Sequence, residues 1–176
     1  MVGLQGKKVL FIIAPRNFRD EELFDTKAVL ENSGATATIA SKHTGEATGA
    51  MGGKAYATLS LERANASDFD AVVFVGGAGA AEYFDDPSVR EIAKSFASQE
   101  KVVAAICIAP TILANAGLLQ AKRATCFSSQ TERLREKGCS YTGNPVEVDG
   151  KIVTASGPEA AKRFGEEIAQ MLTQAD

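Results

Sequence analysis

The feature that most limits the fold is a short apolar run with no alternation, Lys7-Lys8-Val9-Leu10-Phe11-Ile12-Ile13-Ala14. A strand with one wet face alternates apolar and polar residues. A continuous run marks a strand buried on both faces, and such strands sit in parallel sheets between helices. The residues that follow keep to that plan. Residues 15–20 are a loop, and Asp20 is placed to cap a helix over residues 21–33, whose Leu23, Phe24, Ala28, Val29 and Leu30 have helical spacing before Gly34 ends it. Residues 35–40 alternate as a second strand, which makes a right-handed parallel βαβ unit.

Residues 41–61 are polar and contain Gly45, Gly49, Gly52 and Gly53, which predicts an excursion with a small hairpin. A short helix is expected over residues 61–67. Residues 68–75 read as the next strand, leaving through Gly76-Gly77-Ala78-Gly79. Asp86 or Ser88, with Pro87, starts a helix carrying Val89, Ile92, Ala93 and Phe96. Residues 123–127 read as a strand and 131–137 as a short helix ended by Gly138. Asp149-Gly150 between two Val-rich segments is the strongest hairpin signal in the chain. Ser156-Gly157-Pro158 opens a last helix with Ala160, Ala161, Phe164, Ile168, Met171 and Leu172 along one stripe. No linker or repeat interrupts the 176 residues, so residues 1–176 are read as one domain. The fold class is α/β, a mainly parallel sheet with helices on both faces.

Charge narrows the partners. Nineteen basic and 22 acidic residues give a net charge of −3 with no basic block, which argues against nucleic acid and against an anionic membrane surface. No apolar run reaches membrane-spanning length, and the first residues lead straight into a strand without the pattern of a signal peptide. Three cysteines, Cys107, Cys126 and Cys139, without CxxC spacing and one histidine, His43, argue against a Cys/His zinc site, and no metal is expected. Gly76–Gly79 is neither G-x-G-x-x-G nor followed by Gly-Lys-Ser/Thr, so no nucleotide cofactor is implied. The odd cysteine count suits a reducing compartment, and a cytoplasmic protein is expected.

The chemistry concentrates at Val102-Val103-Ala104-Ala105-Ile106-Cys107-Ile108-Ala109-Pro110. A β-branched strand ends at a thiol, and a helix follows. In a nucleophile elbow this turn pushes the side chain out of the sheet edge, while free N–H groups and the helix dipole favour its ionised form. A cysteine ending an apolar strand is more often core packing. The paired glycines Gly76 and Gly77 allow a bare N–H to approach a neighbouring site, or simply a tight turn. Ligands in such sheets bind at the carboxyl ends of strands. The loop after Ala14, the Gly76-Gly77 loop and Cys107 therefore predict one site built from three segments.

Taken together, Ala105-Ile106-Cys107, Asp20-Glu21-Glu22-Leu23, Val75-Gly76-Gly77 and Thr154-Ala155-Ser156-Gly157-Pro158 resemble the ThiJ/PfpI superfamily, from residue 7 to about residue 172. The resemblance implies a flavodoxin-like three-layer sandwich and a homodimer. It makes Cys107 the reactive elbow cysteine and Glu22 the acid hydrogen-bonded to its sulfur. Gly77 and the backbone of Ile108 become the N–H donors beside it, with Gly76 accessory. Read alone, Glu22 is one of three acids at a helix start, where acids are ordinary. Beside a buried thiolate its pKa should rise, so that the protonated carboxyl donates to sulfur or to a sulfinate oxygen.

The chain departs from the family pattern in lacking the histidine near the elbow. Position 108 is isoleucine, residues 125–128 contain none, and His43 lies in the early excursion. The base of a Cys-His pair is therefore missing. Three readings follow. The first is a stress-response protein in which Cys107 is oxidised. The second is a glyoxalase or deglycase acting on small aldehydes such as methylglyoxal through a Cys107 hemithioacetal. The third is a non-catalytic dimeric binding module. Cys126, in the stretch beside the elbow, is either a resolving thiol or core packing.

Overall fold

The computed structural model describes residues 3–174. In chain order the strands are β1 (Lys8–Ile12), β2 (Arg16–Phe18), β3 (Thr36–Ser41), β4 (Gly45–Gly49), β5 (Lys54–Ala57), β6 (Leu59–Ser60), β7 (Ala71–Phe74), β8 (Val102–Ile106), β9 (Arg123–Ala124), β10 (Ser140–Tyr141), β11 (Val146–Asp149) and β12 (Ile152–Ala155). The helices are α1 (Asp20–Asn32), α2 (Pro87–Ser98), α3 (Pro110–Asn115), α4 (Thr131–Glu136) and α5 (Ala161–Gln174).

Seven strands form the central sheet in the order β11-β12-β8-β7-β1-β3-β6. All neighbours are parallel except β11 and β12, the hairpin at one edge. Alternate residues of each strand enter opposite layers, because successive side chains leave a strand on opposite faces. Val9, Phe11, Val73, Ala104 and Ile106 pack under α1 and α5 with Leu23, Leu30, Phe164 and Ile168. Leu10, Ile12, Val72, Phe74, Val103 and Ala105 pack with Val89, Phe96, Ile112, Leu113 and Leu134 from α2, α3 and α4. This is the α/β sheet between two helical layers expected from the continuous apolar runs, and the flavodoxin-like three-layer sandwich that the resemblance implies. No helix among the described residues is long and apolar enough to cross a membrane.

Several local expectations are corrected. Asp20 does not cap α1. It is the first helical residue, and its carboxylate instead accepts the backbone N–H groups of Met51 (2.8 Å) and Gly53 (2.7 Å), clipping the β4–β5 hairpin to the helix. That hairpin, as anticipated, is antiparallel, and β2 joins it to form a separate three-stranded sheet. Residues 61–67 form no single helix but parts of two 3-10 turns, Leu61–Arg63 and Ala66–Asp68. The strand expected over 123–127 stops at Ala124. Thr125 N–H turns to Thr154 Oγ1 (3.0 Å) and Phe127 N–H to the Cys107 carbonyl (2.8 Å), so this backbone satisfies its donors outside a ladder. Asp86 does cap α2 through Ser88 N–H, with Pro87 in the first turn.

Candidate active site

The elbow is present in the backbone. Cys107 follows β8 with φ +67°, a left-handed conformation that costs a non-glycine residue about 1–2 kcal/mol. Neighbouring chain holds it there on both sides. Its N–H donates to the Ala155 carbonyl at 2.9 Å, and its carbonyl accepts from Phe127 N–H at 2.8 Å. The strand end and the turn before α3 thus aim one thiol at the carboxyl edge of the sheet.

Two further loops arrive at that thiol. Glu22, in the first turn of α1, has no solvent exposure. Its Oε1 accepts from Gly76 N–H at 2.9 Å. Oε2 is buried without a hydrogen-bond partner, and the proximity of the Cys107 thiol acts on the carboxyl's acidity. The β7 exit is fixed to the start of α1 a second time, because Arg19 N–H donates to the Gly76 carbonyl at 2.9 Å. The glycines serve different needs. At Gly76 a Cβ would lie 2.5 Å from Glu22 Oε1, 2.6 Å from Cys107 Cβ and 2.7 Å from the Ile106 carbonyl. Gly77 has φ +98°, and a Cβ there would run into the backbone of Asn17, Phe18 and Arg19. The backbone N–H groups of Gly77 and Ile108 are the donors that favour negative charge on the sulfur.

Electrostatics corrects the expectation of an easily ionised thiol. Burial, followed by the charge of Glu22, pushes Cys107 up to about 12, and the two N–H donors only partly oppose this. The helix dipole adds little, since α3 starts three residues later and spans six. Glu22 moves in the anticipated direction. Desolvation raises its carboxyl to about 7, although the thiol and Gly76 N–H pull it down. The thiol thus keeps its proton over the neutral range, while the carboxyl beside it exchanges its own near pH 7.

The group opens into a cleft of about 390 Å³ lined by Arg19, Glu22, Gly77, Ala78, Cys107, Ile108, Phe127, Ser129, Pro158 and Glu159. A larger groove of about 640 Å³ between the Leu61–Arg63 turn and α2 has no cysteine or histidine on its wall, so chemistry rather than size selects the smaller one. Arg19 is held by a two-pronged pair with Glu21, Nε to Oε1 at 3.1 Å and Nη2 to Oε2 at 2.9 Å. Arg19, Phe127, Ser129 and Glu159 were not identified from sequence. The usable signal was position: Arg19 directly precedes the Asp20-Glu21-Glu22 start of α1, and Phe127 lies in the stretch that runs beside the elbow.

Cys126 is not brought to this cleft. It packs in the opposite layer, with Cys139 and Leu134, and Thr131 is its hydrogen-bonding neighbour. Cys107 packs in the layer of α1 and α5. All three cysteines are unpaired. His43 sits exposed in the turn between β3 and β4, so no imidazole lines the cleft.

Comparison with known proteins agrees with this geometry. Residues 7–171 match the DJ-1/PfpI family. A deglycase of Pyrococcus abyssi is 30% identical over 163 residues, covering 93% of this chain and 98% of its own. A glutathione-independent glyoxalase of Caenorhabditis elegans is 26% identical over 166 residues, covering 94% and 89%. The crystal structure of a ThiJ/PfpI domain protein from Brachyspira murdochii superposes with a TM-score of 0.94 at 35% identity, over 96% of this chain and 99% of that one. The chain belongs to the DJ-1/PfpI family.

Proposed function

We propose that this DJ-1/PfpI family member is a cysteine-dependent enzyme of small 2-oxoaldehydes, of glyoxalase or deglycase type, with Cys107 as nucleophile and Glu22 as the proton carrier. One observation carries the reading: the Glu22 carboxyl is fully buried against the thiol and raised to about 7. A base with a pKa near working pH is worth roughly a hundredfold or more in rate, and here a carboxyl takes the place of the missing histidine. The glyoxalase activity named for the nematode relative supports this substrate class, and the deglycase named in the archaeal relative supports the alternative type.

The steps balance without an external oxidant. Glu22 carboxylate accepts the Sγ proton as sulfur bonds to the aldehyde carbon. The carbonyl electron pair becomes an alkoxide, met by the N–H groups of Gly77 and Ile108 and then protonated by Glu22. In the glyoxalase branch the carboxylate next removes the proton from the former aldehyde carbon. A proton returned to the neighbouring carbon leaves a thioester, which water hydrolyses to a 2-hydroxy acid and free Cys107. The assay is methylglyoxal consumption with lactate as product. Undiminished turnover in Cys107→Ala would falsify the reading.

Oxidation of Cys107 is retained as a second reading, favoured by the N–H donors and carboxyl that surround the sulfur and would hold a sulfinate's oxygens. Two peroxide molecules would each deliver one oxygen and leave as water. This route needs an external peroxide and gives no role to a carboxyl that cycles its proton, which ranks it second. Intact mass after mild peroxide should show two added oxygens on Cys107; their absence removes it. Neither activity would leave a binding module.

We also propose a homodimer working in the reducing cytoplasm. Phe24, Met51 and Tyr56 are exposed on α1 and on the hairpin that Asp20 clips to it, a face suited to a second copy. Sedimentation of wild type and Met51→Lys tests it: a monomeric wild type counts against the dimer.

A further inference from the structure

Among the described residues, the exposed large apolar side chains are Phe24, Met51, Tyr56 and Phe127. The first three lie on α1 and the β4–β5 hairpin. Phe127 alone lines the cleft of Cys107, with its side chain 44% exposed. Its backbone is nonetheless fixed. The N–H donates to the carbonyl of the nucleophile itself at 2.8 Å, and the carbonyl accepts from Gln130 N–H at 2.9 Å. Gly157 lies beside the ring, where a Cβ would make ordinary contact with Phe127 Cδ1 at 3.8 Å. The backbone that carries the ring is thus tied to the elbow, and the ring forms an apolar wall of the cleft. Ala78, Ile108 and Pro158 extend the apolar lining. Methylglyoxal, with a single methyl substituent, offers such a wall almost nothing to cover.

We infer that Phe127 sets specificity, and that the site prefers 2-oxoaldehydes bearing an aryl or branched alkyl group, which lies on the Phe127 ring while the aldehyde carbon reaches Sγ. This rests on the aldehyde chemistry proposed above. The physical source is removal of two apolar surfaces from water, with ring-on-ring contact adding to it for an aryl substituent. Differences of this size in an apolar pocket are worth roughly 10- to 200-fold in kcat/KM.

The test compares kcat/KM for phenylglyoxal and methylglyoxal in wild type, Phe127→Ala and Phe127→Leu. The inference expects phenylglyoxal to be favoured by about tenfold or more in wild type. The ratio should collapse by about tenfold in Phe127→Ala and be largely kept in Phe127→Leu. An equal ratio in wild type and Phe127→Ala overturns the inference and leaves the aldehyde chemistry standing. If neither aldehyde is consumed, the proposed reaction fails, and the cleft is read directly by alkylation. Phenacyl chloride and chloroacetone each lose chloride to Cys107, with rates normalised to free cysteine and the site located by peptide mass. An aryl enrichment of about tenfold that disappears in Phe127→Ala supports Phe127 as the selecting wall. Equal normalised rates overturn it.

Discussion

Two cysteines of this chain, 19 positions apart, come to opposite fates. Cys107 and Cys126 are both buried, and burial raises both thiols, to about 12 and about 11. Acidity does not separate them. What separates them is company and access. Cys107 stands on a strained elbow, against a carboxyl raised to about 7, beside two N–H donors and at the floor of a cleft. Cys126 packs in the other layer against Leu134 and Cys139. On the chemistry proposed above, the contrast lies in the neighbouring base, which takes the proton of a raised thiol as the bond forms.

The sharpest way to break that contrast is to exchange the roles. Replacing Cys107 by Ala should lower 2-oxoaldehyde turnover by about a thousandfold or more, while Cys126→Ala stays within about threefold. Comparable losses in both variants would dissolve the distinction. Next comes the base. Glu22→Gln keeps an acceptor for Gly76 N–H but cannot exchange a proton, so kcat/KM should fall by about a hundredfold. The pH profile carries the finer signature: a midpoint near 7 in wild type that is lost in the variant.

Stability gives a third, smaller effect with a definite sign. Glu22 is raised from 4.5 unfolded to about 7 folded, so between these values the folded state binds more protons than the unfolded one. Stability must then fall as pH rises through that window, by at most about 3 kcal/mol, and hold below it. Chemical denaturation at pH 4.5 and pH 8 should show this slope in wild type and a flatter one in Glu22→Gln. A slope unchanged by the substitution would detach it from Glu22. The least of the expected effects concerns the glycine between the two groups. Gly76→Ala forces a methyl against Glu22 Oε1 and Cys107 Cβ, costing roughly 1–3 kcal/mol. The equivalent change at Gly117, where nothing approaches a Cβ, meets only the strain of φ +79°. A smaller midpoint shift at position 76 than at 117 would contradict the close approach.

Much of this was legible in one dimension. Continuous apolar runs at β1, β7 and β8 required burial on both faces, and that requirement produced the parallel sheet. The Asp86-Pro87 start of α2 and the Asp149-Gly150 hairpin act through neighbouring residues, so sequence carried them. The segments that misled were those whose backbone partners lie far along the chain. Residues 125–127 look like strand, but their donors go to Thr154 and Cys107. Asp20 looks like a cap, but its acceptors serve Met51 and Gly53.

By itself, then, the sequence determined the layered α/β plan, the position of the thiol at a strand end and the absence of a histidine to serve it, because period, turn residues and residue identity are local quantities. Tertiary structure alone decided that the thiol is raised rather than lowered, that Glu22 becomes a near-neutral carboxyl, that Cys126 faces away and that Phe127 walls the cleft. Each of these depends on desolvation and on which surface a side chain enters. Those are set only when segments distant in the chain pack together and exclude water.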